Sequence, residues 1–447
     1  MIKYPVVITE NWRIVRNLIT GGVLNAAGLG FAVYIFAICY PGIKATSAQL
    51  MDVRSGLSTM ADAGETSLFI SVPSVLLGLL LFARHGIVAA VYRFQPLLVF
   101  LLIFSSMIIF LSLAEAEYLE SSAQVVQYAT TVACFLLCLC FWQAPPEDVD
   151  NALSMAFVAL AISLTTAALV QGFHEYRWVG LIHPNHYARY AYITLVLHSL
   201  VVRRVSLLVF LPCFAATYVV SARTIMIGTL LFYLGYLFFA HRQMFTSRAR
   251  QLANARVLAI GLIALPLALL VGSLVFNTDR LFDKITTDLA LFDPDRGLLS
   301  GFTGRSDSWN AFFDDMSNFV FFGYGFRSSR YGLHSVHSGV LMYFMDFGLV
   351  LGGILLAVII GRAIYLIWFG TKDHDDRALI CGLVIASTLV IQWFEPDNFN
   401  LGFMGSFFYM LVLGYAPRQH IVQRPVTLQR RYAVAPPDPN VKLQPEI

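Results

Sequence analysis

The residues of this chain best suited to chemistry stand in one polar stretch, Asn277 to His337, which interrupts a sequence otherwise made of long apolar runs. It carries Arg280, Arg296, Arg305, Arg327, Arg330, His334 and His337. Bilayer hydrocarbon excludes unpaired charge, so these groups must lie outside it or face a polar cavity. Cations gathered over a membrane suit an anionic lipid headgroup. Histidines also raise metal chemistry, because His183 and His186 form one HxxH pair and His334 and His337 another. Pro184 interrupts the first pair, no acid stands between the histidines, and no HExxH pattern occurs, so no metal site is expected.

The elements that must position these residues follow from composition. At 58% hydrophobic and 13% charged residues, with a mean hydropathy of +0.69 over 447 residues, the chain is far from soluble-domain norms. The expected fold is all-α, a polytopic transmembrane bundle of about twelve helices, each near the ~20 apolar residues that cross a bilayer. Candidate spans fall at 22–43, 67–83, 96–113, 125–143, 152–171, 188–202, 205–220, 224–240, 256–276, 338–369, 378–394 and 401–416. With both termini cytoplasmic, this count puts most of the Lys and Arg on the inner face and most of the acids on the outer face, the bias of inner-membrane proteins. Loop 144–151, with Glu147, Asp148 and Asp150, is the one inner loop without Lys or Arg.

Residues 1–21 read as a cytoplasmic N-terminus, 22–416 as the membrane domain with a large periplasmic loop at 277–337 between the ninth and tenth spans, and the Pro-rich, basic 417–447 as a disordered cytoplasmic tail. The first apolar run is full length and lacks a small-x-small exit, so a retained anchor is expected rather than a cleaved signal. All six cysteines fall within predicted spans, which implies neither disulfides nor CxxC metal chemistry.

The same topology gathers other polar residues on the outer face. The fifth-to-sixth connection carries His174, Arg177, His183, Asn185, His186 and Arg189 around a Pro-Asn turn. Asn185, His186 and Arg189 are candidate binding residues on that face. In the short seventh-to-eighth connection, Arg223 starts a helix at the outer interface. Ser306 is expected to cap a loop helix that presents Trp309, Phe312 and Phe313 to the membrane surface or to a ligand. The 338–369 run, longer than one membrane thickness, should tilt or protrude, with Gly348, Gly352 and Gly353 permitting close helix contact. Glu395, Asp397, Asn398 and Asn400 in the last outer loop offer hydrogen-bond acceptors or salt partners for the arginines.

These motifs resemble those of the O-antigen ligase and polymerase superfamily of bacterial inner-membrane glycosyltransferases. In that family a Ser-Arg begins an outer-face helix, as Ser221-Ala222-Arg223 nearly does; a Gly-Arg followed by Trp lies in the large loop, as Gly304-Arg305 and Trp309 do. A Gly-x-Gly turn follows, as in Gly323-Tyr324-Gly325, then His-Asn, some ten residues, and Gly in the following span, a spacing that His337 and Gly348 keep. Ser338 replaces the usual Asn, and Ala222 separates serine from arginine. The resemblance covers roughly residues 180–355.

The resemblance implies transfer of a glycan from an undecaprenyl diphosphate carrier to an acceptor sugar hydroxyl on the periplasmic face, with no cofactor, nucleotide sugar, metal or nucleic acid. Guanidinium forks grip phosphate oxygens bidentately, which makes Arg305 and Arg223 the candidate catalytic cations, with Arg327 and Arg330 adding to the field. His337, directly before the tenth span, is the candidate base, kept neutral by the positive end of the helix. His334 stands three residues earlier, and the two could exchange the roles of base and orienting partner. Trp309 could stack on a sugar or simply pack. Implied partners are the lipid-linked donor, an acceptor that is either a second lipid-linked repeat or lipid A core, membrane lipid, and a chain-length regulator. The basic outer loops lean towards a polymerase over a ligase, while a transporter of lipid-linked glycan or solute is the alternative of another class. Such a transporter would show a midplane site, broken helices and paired acids.

Overall fold

The computed structural model describes Cys138 and residues 141–142, 146–170, 172–174, 177–179, 184–220, 222–240, 301–321, 323–324, 336, 338–395 and 404–417. The first three predicted spans, most of the fourth, the ninth, both terminal segments, most of the large loop, and His334, His337, Arg327 and Arg330 lie outside these residues.

Nine α-helices make up the described part: α1 (Pro146–Val170), α2 (Pro184–Val202), α3 (Leu207–Val219), α4 (Arg223–Ala240), α5 (Gly301–Asp315), α6 (Gly339–Phe347), α7 (Leu349–Asp373), α8 (Asp376–Phe394) and α9 (Met404–Leu413). To the all-α expectation the structure adds one small antiparallel hairpin, β1 (Gly172–His174) with β2 (Arg177–Val179), in which His174 faces Arg177 across the register. Four helices, α1, α4, α7 and α8, are long and apolar enough to cross a membrane. Their outward faces carry large apolar side chains such as Ile162, Leu169, Leu234, Phe238, Ile364 and Trp368, an arrangement suited to lipid.

Helix boundaries have local causes. Pro184, whose fixed φ and missing N–H suit a first helical turn, opens α2, so the Pro-Asn turn expected at 184–185 is instead the start of the helix. Glu147 and Asp148 stand at the positive end of α1. Arg203 leaves α2 in the left-handed region at φ 61°, allowing a tight reversal into α3. The centre of the bundle is α2, buried along nearly its whole length from Tyr187 to Val202 and packed on α1, α3, α4, α8 and α9.

The 338–369 run is two helices and not the single tilted one expected. Gly348 separates them at φ 86° and ψ 161°, a conformation that a Cβ would strain. A Cβ on Gly352 would lie 2.5 Å from the Tyr343 carbonyl oxygen, so the first turn of α7 folds back against α6. In one straight helix those residues would stand ~13 Å apart along the axis. The segment after α5 covers the break. Val350 donates to the Val320 carbonyl at 3.1 Å and Tyr324 donates to the Met345 carbonyl at 2.8 Å. Gly323 is required there because a Cβ would collide with the Asp346–Phe347 backbone.

The loop helix also begins earlier than expected. α5 starts at Gly301, which puts Ser306 inside the helix and removes the capping role assigned to it.

Candidate functional site

Register between neighbouring helices brings the candidate residues to one end of the bundle. Gly228 of α4 packs on Ile391 of α8 and Gly235 packs on Leu383, so the two helices run antiparallel. Arg223, five residues before Gly228, is therefore level with the end of α8 at Phe394 and Glu395. It is the first residue of α4, as expected, and half-buried.

Arg189, in the second turn of α2, is buried and forms an ion pair with Glu395 at 3.2 Å, the two side chains being 10% and 14% exposed. Glu395 thus takes up the salt-partner role considered for the last outer loop. Its backbone carbonyl also accepts a hydrogen bond from Gly339 at 3.0 Å, tying the first residue of α6 to the end of α8. Asn185 and His186 occupy the first turn of α2, and the His186 ring lies 6.4 Å from that of Tyr190.

Trp309 joins α5 to the same place. Its indole Nε1 donates to the Val336 carbonyl at 3.2 Å, and its ring stands 6.4 Å from Phe394. Beneath it, Phe312, Phe319, Val336, Leu341 and Met345 form a separate small core that docks the loop helix on α6. Trp309 is therefore a packing residue with a hydrogen-bonding handle. Arg305 occupies the helical position one turn before it.

Ser338 is buried, and its Oγ accepts from the Leu341 N–H at 3.3 Å as the N-cap of α6. Ser338 thus supplies the capping chemistry that the start of α6 requires. His337, between the buried Val336 and Ser338 in sequence, is itself outside the described residues.

Nearby, the Tyr324 hydroxyl donates to Asp315 at 2.7 Å. Partial burial, followed by the carboxylate that accepts its proton, pushes the phenol up to about 12. Sequence reasoning did not single out this pair, and a Tyr–Asp spacing of nine residues carries no local signature.

The described geometry brings the starts of α2, α4 and α6 and the end of α8 to one place, with the buried Arg189–Glu395 pair among them and α5 docked beside them through Trp309. Guanidinium groups at such a junction can hold an anion and orient it. Neither the comparison with protein-family models nor that with curated proteins finds a match for this chain.

Proposed function

We propose that this chain is an integral-membrane glycosyltransferase that moves a glycan from an undecaprenyl diphosphate carrier to a sugar hydroxyl at the periplasmic face of a bacterial inner membrane. The acceptor oxygen attacks the anomeric carbon, the bond from that carbon to the diphosphate breaks, and the carrier diphosphate leaves with the electron pair. His337 takes the hydroxyl proton, and Arg305 and Arg223 stabilise the charge that grows on the leaving group. Arg189, Arg327 and Arg330 enlarge the cationic field, and Asn185, His186 and His334 line the glycan path.

One observation carries this proposal: the hydrogen bond from Trp309 to the Val336 carbonyl. It ties the helix bearing Arg305 to the residue immediately before His337, across a separation of 27 residues. The resembled motifs, distant in sequence, are thus linked through their neighbours.

Of the two acceptors, we favour a second lipid-linked repeat, which makes the chain a polysaccharide polymerase rather than a ligase to lipid A core. Several basic elements at one site suit two anionic carriers. A transporter would instead use a helix broken at mid-membrane. The break at Gly348 precedes a helix of 25 residues, long enough to span alone, so it stands at the end of a span.

The test replaces Arg305 or His337 by alanine in the full chain, with expression verified, and analyses surface glycan and the carrier-linked pool. Loss of one preorganised charge-stabilising group costs on the order of a hundredfold or more in rate. A polymerase variant leaves single repeats capped onto lipid A core, whereas a ligase variant leaves long chains on the carrier. Undiminished assembly with either variant overturns the assignment of these residues.

A further inference from the structure

We propose that Glu395 is a positioning residue of this site: its carboxylate aims the Arg189 guanidinium while its backbone carbonyl fixes the start of α6, so one residue sets α2 and α6 relative to each other. The proposal rests on the glycosyltransferase reading.

The cause begins with Pro396. A residue before proline is driven out of the helical region into extended backbone. Glu395 accordingly has φ −133° and ψ 137°, and α8 stops at Phe394. Leaving the helix turns its carbonyl outward, where Gly339 donates to it at 3.0 Å. The same turn carries the carboxylate to Arg189 at 3.2 Å.

Arg189 meets the carboxylate through one Nη at 3.2 Å, and a planar guanidinium held in this way keeps a fixed direction. Holding it there removes rotamer freedom that a diphosphate would otherwise have to restrict on binding. Three elements meet in this residue, α2 through the side chain, α6 through the carbonyl and α8 by chain continuity, while Trp309 packs on the adjacent Phe394.

A purely structural ion pair would make the same contacts, so the test separates the two roles. The full-length protein is expressed in a host deleted for its own copy, as wild type, Glu395→Gln, Glu395→Asp, and the charge-reversed pair Arg189→Glu with Glu395→Arg. Two quantities are read: surface-glycan assembly rate per folded molecule, and thermal midpoint of the purified protein in detergent. Glu395→Gln is expected to lower the rate on the order of tenfold to a hundredfold, the scale of a small misplacement of a reacting group. Glu395→Asp recovers part of it. The reversed pair recovers the midpoint and not the rate, because the guanidinium then projects from the end of α8 instead of α2.

A reversed pair that restores both quantities, or a Glu395→Gln protein at the wild-type rate, overturns the proposal. If those variants fail to accumulate, Glu395→Asp decides alone, and an undiminished rate sinks it. The deletion strain keeps the two levels apart. Unchanged surface glycan and carrier-linked pool on deletion remove the glycosyltransferase reading itself, whereas a deletion defect fully complemented by Glu395→Gln removes only the role of Glu395.

Discussion

At the end of the bundle where α1 begins, Asp150 meets both Arg377 and, at 3.7 Å, Arg203, while Arg377 also donates to the Leu200 carbonyl at 3.0 Å. Asp375 caps α8 and accepts from Tyr415 at 2.8 Å. The last carbonyls of α9, which no helical N–H can reach, are taken by Trp142 and Arg362. At the opposite end stand Arg189 with Glu395, Arg223 at a helix start, and a loop helix docked by Trp309. Both ends use arginine and acid. The first knits four helix termini together through ion pairs, a helix cap and side-chain bonds to carbonyls, and the second joins its elements through the Arg189–Glu395 pair, the Gly339–Glu395 backbone bond and the indole of Trp309. Paired arginine and acid therefore do not by themselves identify a site; what sets the second end apart is that its elements bear the residues proposed above for glycan transfer.

The largest effect expected of this contrast is on stability. Arg377→Ala leaves Asp150 without its closest partner and the Leu200 carbonyl without a side-chain donor, a loss of about 3 kcal/mol or more for a pair so largely buried. The thermal midpoint in detergent should fall sharply, while glycan assembly per folded molecule stays at the wild-type level. Arg189→Ala breaks a pair at least as buried and should also lower the midpoint, but with it the rate per folded molecule should fall as well. If Arg377→Ala instead abolished assembly at normal stability, the two ends would have to exchange their assignments.

A smaller effect is expected at the start of α6. Ser338→Ala removes the N-cap beside His337 and should cost about 1 kcal/mol. Ser338→Asn, which restores a capping side chain, should return both midpoint and rate to near wild type. Rate loss in Ser338→Ala that Ser338→Asn does not rescue would point to a direct chemical role for the hydroxyl.

Much of this arrangement was legible in the sequence, for reasons that can be named. The starts of α4 and α8 lie within two residues of their predicted positions, because Arg223 and the acid-rich Asp373–Asp376 turn mark where charge leaves an apolar run. The 144–151 connection, expected on the inner side yet lacking Lys or Arg, has its cations supplied to Asp150 by Arg203 after α2 and Arg377 at the start of α8, which no local count can see. The break at Gly348 was hidden for a similar reason. Hydropathy runs unbroken through 338–369, and only the tertiary approach of Gly323 and Gly352 shows that the chain must turn there. Ser306 misled because capping residues also occur inside helices, and the helix that contains it begins five residues earlier, at Gly301.

The least expected effect, and the most local, concerns the segment that covers that break. Tyr324 titrates near 12 in the folded protein against an ordinary 10.0, because partial burial and the Asp315 carboxylate both favour its neutral form. A group whose folded pKa is raised contributes stability that is complete below the unfolded value and is lost as pH climbs through the folded one. The thermal midpoint should thus decline between about pH 10 and about pH 12 as the phenolate forms beside Asp315. Tyr324→Phe cannot make this hydrogen bond, so its midpoint should start slightly lower at neutral pH and fall less steeply through that window. The difference between the two curves isolates this tyrosine from the other phenols and lysines that ionise in the same range. Parallel curves would mean that the Tyr324–Asp315 contact does not hold the 320–324 segment over the α6–α7 break.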